Sequence, residues 1–219
     1  MKADKNNLKL YAVTDRKWLK GESLADQVEK AARAGVTMVQ LREKDIDFDE
    51  YVALAVEIAA VVHRYDIPLI INDNVEVALA SGAGGVHVGQ SDMKAVNARK
   101  MIGPDKILGV SAETAESALE AERCGADYIG TGAVFSTSTK EDAQNISLSE
   151  LKRICNSVSI PVVAIGGITE NNIMDLSGSG IAGVELVSAI FAQKDIEVSV
   201  SRLLSLTEKI LKSDQGDAR

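Results

Sequence analysis

Pro68-Leu-Ile-Ile-Asn-Asp-Asn-Val-Glu-Val-Ala-Leu-Ala-Ser-Gly-Ala-Gly-Gly-Val-His-Val-Gly-Gln-Ser-Asp92 decides the fold. It opens with an apolar run, Leu69–Ile71, that ends in the polar cluster Asn72-Asp73-Asn74. A helix-forming stretch follows over Val75–Ser81. The small-residue turn Gly82-Ala-Gly-Gly85 then leads into a second apolar run, Gly85–Val88, which ends in Gly-Gln-Ser-Asp92. Glycine closes a helix at low strain, and β-branched residues favour the strand that follows. The unit therefore reads strand, polar end, helix, turn, strand, polar end.

The same rhythm runs outward in both directions. Apolar runs at Leu10–Val13, Met38–Leu41, Ile107–Val110, Tyr128–Gly130, Val162–Ile165 and Gly183–Val187 complete a set of eight strand candidates. Helices are expected at Leu24–Ala34, Phe48–Tyr65, Met93–Ile102, Thr114–Cys124, Leu148–Ser157, Glu170–Ser177 and Ile196–Leu211. Tyr51, Leu54, Ala55, Ile58 and Val62 make one apolar stripe of the second helix. Ser147 and Glu150 have capping-box spacing. Strict alternation of strand and helix implies a parallel sheet, and eight units imply a closed (β/α)8 TIM barrel in the α/β class. One domain over residues 1–219 is expected, with its core over residues 8–211 and a polar tail from Lys212 to Arg219.

Composition agrees. The chain has 219 residues, long enough for one sizeable core and too short for two ordinary domains without a seam. Hydrophobic residues make up 46% and aromatics 4%, so the core rests on aliphatic side chains, as parallel sheets do. The net charge of −8 disfavours a general nucleic-acid binder. Cys124 and Cys155 lack paired metal or redox spacing and read as reduced structural thiols. The chain has no run of transmembrane length and a polar start, so it reads as soluble and cytoplasmic, with no membrane partner. A homo-oligomer is compatible with this reading.

The polar strand ends carry the chemistry, because a parallel barrel gathers them on one face. After the second strand, Gln40, Arg42 and Lys44 alternate so that an extended chain points them the same way. Glu43, Asp45 and Asp47 offer the competing reading of a solvated charged loop. Asp73 and Asp92 follow adjacent strands and can share a hard cation such as Mg²⁺, although Asp92 also stands where a helix cap belongs. His87 lies in an apolar run, where packing and catalysis are both open to it. Ser111 lacks a nucleophile-elbow setting and reads as a hydrogen-bond donor. Thr137, Thr139 and Lys140 lie in the patternless stretch Phe135 to Asn145, which suits a phosphate-binding lid or a polar surface loop. Gly166-Gly167 and Ser188 end the last two strands, where this fold commonly cups a phosphate. Glu185 interrupts the eighth strand and needs a partner if buried.

These motifs, in this order, resemble the thiamine-phosphate synthase (thiamine-phosphate pyrophosphorylase) family from about Leu10 to Phe191. The resemblance rests on Tyr11, Thr14-Asp15, Gln40-Leu-Arg-Glu-Lys44, Asn72-Asp73, His87-Val-Gly-Gln90 with Asp92, Gly109-Val-Ser-Ala112, Thr137 to Lys140, Ile165-Gly-Gly-Ile168 and Ser188-Ala-Ile190. It implies condensation of 4-amino-2-methyl-5-hydroxymethylpyrimidine diphosphate with 4-methyl-5-(2-phosphooxyethyl)thiazole. The products would be thiamine phosphate and pyrophosphate.

The resemblance also implies roles. Asp73 and Asp92 would hold Mg²⁺. Arg42, Lys44, Asn72, Ser111 and Lys140 would hold the diphosphate. Gln40 and His87 would line the pyrimidine region, and Thr137, Thr139, Gly167 and Ser188 would hold the thiazole phosphate. The chain departs from the family pattern at Asn74, where an acidic residue is common, and at Ala133 and Ser136, where proline is common.

Three rivals remain. A thiazole tautomerase-like barrel would not need the diphosphate set of Arg42, Lys44, Asp73, Asp92 and Lys140. An aldolase-type barrel would need a desolvated lysine, which neither Lys44 nor Lys140 is expected to be. A non-catalytic sensor of thiamine precursors would leave most of these charges surplus.

Overall fold

The computed structural model describes residues 6–89, 93–136 and 145–216, with side chains described to residue 213. Eight parallel strands close into a barrel in sequence order: β1 (Leu10–Val13), β2 (Met38–Leu41), β3 (Leu69–Asn72), β4 (Gly85–Val88), β5 (Ile107–Ser111), β6 (Tyr128–Thr131), β7 (Val162–Ile165) and β8 (Gly183–Leu186). β8 pairs back onto β1, so each strand has two parallel neighbours and no sheet edge is left.

Helices α1 (Leu24–Ala34), α2 (Phe48–His63), α3 (Val75–Ala80), α4 (Ala95–Ile102), α5 (Ala115–Arg123) and α6 (Leu148–Ser157) link successive strands. The short helix α7 (Ser188–Phe191) and the long α8 (Ile196–Gly216) follow β8. The apolar stripe of α2 is buried at Tyr51, Ala55, Ile58 and Val62. Side-chain caps start the helices where the sequence places them: Ser23 accepts from the Asp26 N–H, Asp47 from Glu50, Asn74 from Val77, and Ser147 from Glu150. The reciprocal capping box is at Thr114 and Ser117, rather than at Ser147.

Between β7 and β8 the structure departs from the expected helix over Glu170–Ser177. Only a 3-10 stretch, Ile173–Leu176, forms there. The Thr169 N–H donates to Asn172 Oδ1 at 2.7 Å, and Asn172 Nδ2 donates to the Gly167 carbonyl at 2.9 Å. These bonds brace the turn after Gly167, and the Thr169 carbonyl accepts from the Asn172 and Ile173 N–H groups before the backbone tightens to 3-10 geometry.

The core has two parts. Aliphatic side chains on the outer faces of the strands pack against the helices. A separate cluster of Leu8, Tyr11, Met38, Ile70, Ile107, Tyr128 and Val163 fills the barrel interior. Among the described residues, no helix is long and apolar enough to cross a membrane. Cys124 and Cys155 are both free thiols.

Candidate active site

A cavity of about 280 Å³ opens at the carboxyl ends of the strands. Its walls include Gln40, Arg42, Lys44, Asn72, Asp73, His87, Ser111, Gly167 and Ser188, so every described residue expected at the site from sequence meets there. Asp92, Thr137, Thr139 and Lys140 lie outside the described residues.

Arg42 and Lys44 arrive by a different route from the one the alternation argument assumed. β2 ends at Leu41, so both cations follow the strand instead of extending it. The Arg42 N–H donates to Thr14 Oγ1 at 3.0 Å, which anchors this turn to the end of β1. Two of the acidic neighbours are engaged elsewhere. Glu43 pairs with Arg16 at 2.8 Å, and Asp47 caps α2. The cations therefore line the cavity, and the run is not simply a solvated loop.

Asp73 directly follows β3. Its backbone N–H donates to the His87 carbonyl at 2.8 Å, and its φ is +62°. Aspartate enters this left-handed region more readily than most residues, and such strain tends to persist where neighbours enforce it. The turn keeps Asp73 at the cavity wall beside Asn72, whose Nδ2 donates to Asp73 Oδ2 at 2.5 Å.

Gly167 has φ +64°, and a Cβ there would come within 2.5 Å of the carbonyl oxygens of Phe135 and Ser136. Only glycine fits this turn without displacing the chain after β6. Ser188 opens α7 on the same wall.

Below the mouth, a polar chain crosses the barrel axis. Gln40 Nε2 donates to Glu185 Oε1 at 2.9 Å and to the Tyr11 hydroxyl at 2.8 Å. The Tyr11 and Tyr128 hydroxyls are 2.9 Å apart. Tyr128 lies 2.9 Å from His87 Nδ1, and His87 Nε2 lies 2.9 Å from Ser111 Oγ. Strand register assembles this chain: Tyr11 stands opposite Glu185, and Asn72 opposite His87. Burial, with Glu185 nearby, pushes the Tyr11 hydroxyl well above its ordinary value. Burial likewise raises Tyr128, so both phenols stay neutral.

Glu185 is 3% exposed, lines the cavity, and has Gln40 as the partner that sequence alone did not identify. Burial pushes its carboxyl up to about 8, and the bond from Gln40 only partly offsets this. Tyr11, Tyr128 and Glu185 are the residues of this network that the site reading missed or left without a role. Two tyrosines inside strands of an aromatic-poor chain were the available signal.

Fold and cavity together define a (β/α)8 barrel enzyme, with its working face at the strand carboxyl ends. The family model for thiamine monophosphate synthase matches residues 10–190. The chain is 51% identical to the thiamine-phosphate synthase of Ruminiclostridium cellulolyticum over 197 residues, covering 90% of this chain and 94% of that protein. It is 49% identical to the thiamine-phosphate synthase of Clostridium acetobutylicum over 201 residues, covering 92% of this chain and 95% of the other. The solved thiamine phosphate pyrophosphorylase of Pyrococcus furiosus superposes with a TM-score of 0.87 at 37% identity, covering 94% of this chain and 98% of that one. The chain belongs to the thiamine monophosphate synthase family.

Proposed function

We propose that this chain is a transferase of thiamine biosynthesis that joins 4-amino-2-methyl-5-hydroxymethylpyrimidine diphosphate to 4-methyl-5-(2-phosphooxyethyl)thiazole, giving thiamine phosphate and pyrophosphate. The observation that carries this reading is the near-full-length similarity to thiamine-phosphate synthases, together with a cavity that gathers Arg42, Lys44, Asn72, Asp73 and Ser111. A tautomerase-like barrel has no diphosphate to hold, and a non-catalytic sensor of thiamine precursors would leave the complete charge set surplus.

The chemistry needs little from side-chain acids and bases. The bond between the pyrimidine methylene carbon and the diphosphate oxygen breaks, and its electron pair leaves with pyrophosphate. The lone pair of the thiazole nitrogen forms the new C–N bond. The aminopyrimidine delocalises the positive charge left on the methylene, so departure runs ahead of attack. The nucleophile already carries its lone pair, so no general base is required.

Catalysis is then mainly stabilisation of charge on the leaving group. Arg42, Lys44, Asn72 and Ser111 line the wall where the diphosphate sits, and Lys140 joins them. Gln40 and His87 hold the pyrimidine end. Gly167 and Ser188, with Thr137 and Thr139, receive the thiazole phosphate. Exclusion of water from the site keeps it from trapping the cation.

Asp73 suits magnesium. It is a hard oxygen donor at the cavity wall, held in place by a strained turn and by Asn72. With Asp92 it would supply the one or two carboxylates that Mg²⁺ usually takes beside water and substrate phosphate. When bound, the metal would neutralise charge developing on the diphosphate. Omission assays test the reading. Thiamine phosphate should form only when both precursors and Mg²⁺ are present, and its absence from the complete mixture would contradict it.

A further inference from the structure

Glu185 Oε2 is buried and has no hydrogen-bond partner among the described residues, although the residue lines the cavity. An unpaired buried carboxyl oxygen costs roughly 1–3 kcal/mol, so a position that retains one points to a ligand that completes it. The space beside it is marked by Gly130 on β6, which β7 separates from β8. A Cβ on Gly130 would lie 3.4 Å from Glu185 Oε2 and 2.9 Å from His87 Cε1. Gly130 itself lines the cavity, so its missing side chain leaves open the space between the free oxygen and His87.

We propose that Glu185 is a specificity-determining residue for the aminopyrimidine: Oε2 carries a proton that it donates to a ring nitrogen, while Oε1 accepts from the adjacent amino group. This rests on the functional reading above and deepens it. Gln40 decides which oxygen is which. Its Nε2 donates to Oε1, which makes Oε1 the carbonyl-like oxygen and leaves the hydroxyl at Oε2. Oε1 retains a second lone pair for the amino group. A 4-oxo ring in the same pose would present an N–H to the hydroxyl and a C=O to the carbonyl oxygen. Both contacts would then be repulsive, and a buried polar site rejects such a mismatch strongly.

The protonation state is the one this pairing needs. Burial pushes Glu185 up to about 8, so at pH 7 it is mainly a neutral acid. The titratable groups around it are Tyr11 from β1, Tyr128 from β6 and His87 from β4. β2 contributes the neutral Gln40, and β7 contributes Ile165 in register. Arg42, Lys44, Asp73 and Glu113 are the other charged residues of the cavity wall among the described residues.

Steady-state kinetics on wild type, Glu185→Gln and Glu185→Ala test this, with each substrate varied in turn. Glutamine keeps both a donor and an acceptor; alanine keeps neither. Glu185→Ala should raise the KM for the pyrimidine diphosphate at least tenfold and leave that for the thiazole phosphate within about twofold. Its preference for the 4-amino over the 4-oxo substrate should fall by a similar factor. Wild-type kcat/KM for the pyrimidine substrate should decline above about pH 8, and this decline should vanish in Glu185→Gln.

If Glu185→Ala does not fold, the pH comparison with Glu185→Gln still decides. An unchanged pyrimidine KM in Glu185→Ala, or an alkaline decline that persists in Glu185→Gln, would overturn the role of Glu185 while leaving the reaction in place. A wild-type chain that forms no thiamine phosphate would instead overturn the functional reading, and this proposal with it.

Discussion

Gln40 Nε2 sits 2.9 Å from Glu185 Oε1, tying β2 to β8 past the intervening β1. The bond is the one contact that lowers the Glu185 carboxyl against the larger effect of burial. Gln40→Ala should therefore move the Glu185 titration above its wild-type value of about 8. Carboxyl-carbon NMR with ¹³C-labelled glutamate would read this directly. A midpoint that stays put would show that Gln40 does not hold the charge state of Glu185.

Stability should fall with rising pH because of this residue. The Glu185 carboxyl is raised in the folded chain from the ordinary 4.5 to about 8. Between those values the folded chain holds a proton that the unfolded chain has released. Its contribution is thus fully present below about 4.5 and is lost as pH climbs through about 8. The slope from this one group is at most about 1.4 kcal/mol per pH unit. Denaturant unfolding of Glu185→Gln against wild type across that window should show the two curves diverging, with the variant the flatter.

Tyr128 bridges Tyr11 and His87 at 2.9 Å on each side. Tyr128→Phe removes the hydroxyl shared by both bonds and leaves two buried groups without that partner. The expected loss is about 1–3 kcal/mol of stability. Urea unfolding measures it, and a change under 0.5 kcal/mol, of order typical surface substitutions, would mean that the axial chain is not holding the barrel together.

The leaving-group side has its own test. Lys140→Ala should cost about 3 kcal/mol of transition-state stabilisation, as loss of a preorganised charge-stabilising donor does. An unchanged kcat/KM would remove Lys140 from the mechanism. Asp73→Asn should abolish most Mg²⁺-dependent turnover, whereas activity that persists in chelator would contradict the metal role of Asp73.

The barrel was legible because its signal repeats. Each apolar run, polar end and small-residue turn is short-range, and all eight strands lie within a residue of where the sequence places them. The convergence of Gln40, Asn72, Asp73, His87 and Ser111 was legible for the same reason, since parallel strands bring their carboxyl ends together. The stretch after Gly167 was not, because its helix-like pattern does not distinguish an α-helix from the short 3-10 turn that forms over Ile173–Leu176. The axial network was also hidden. Tyr11, Tyr128 and Glu185 are far apart in sequence, and only barrel closure brings them to one layer. Glu185 looked anomalous on its strand, and the anomaly marked the polar floor of the cavity.

Simultaneous quantification of pyrophosphate and thiamine phosphate tests the central claim most directly. With both precursors and Mg²⁺, the wild-type chain should release the two products in equal amounts, and neither should form when the thiazole phosphate is withheld. Pyrophosphate without matching thiamine phosphate, or neither product from the complete mixture, would contradict the account.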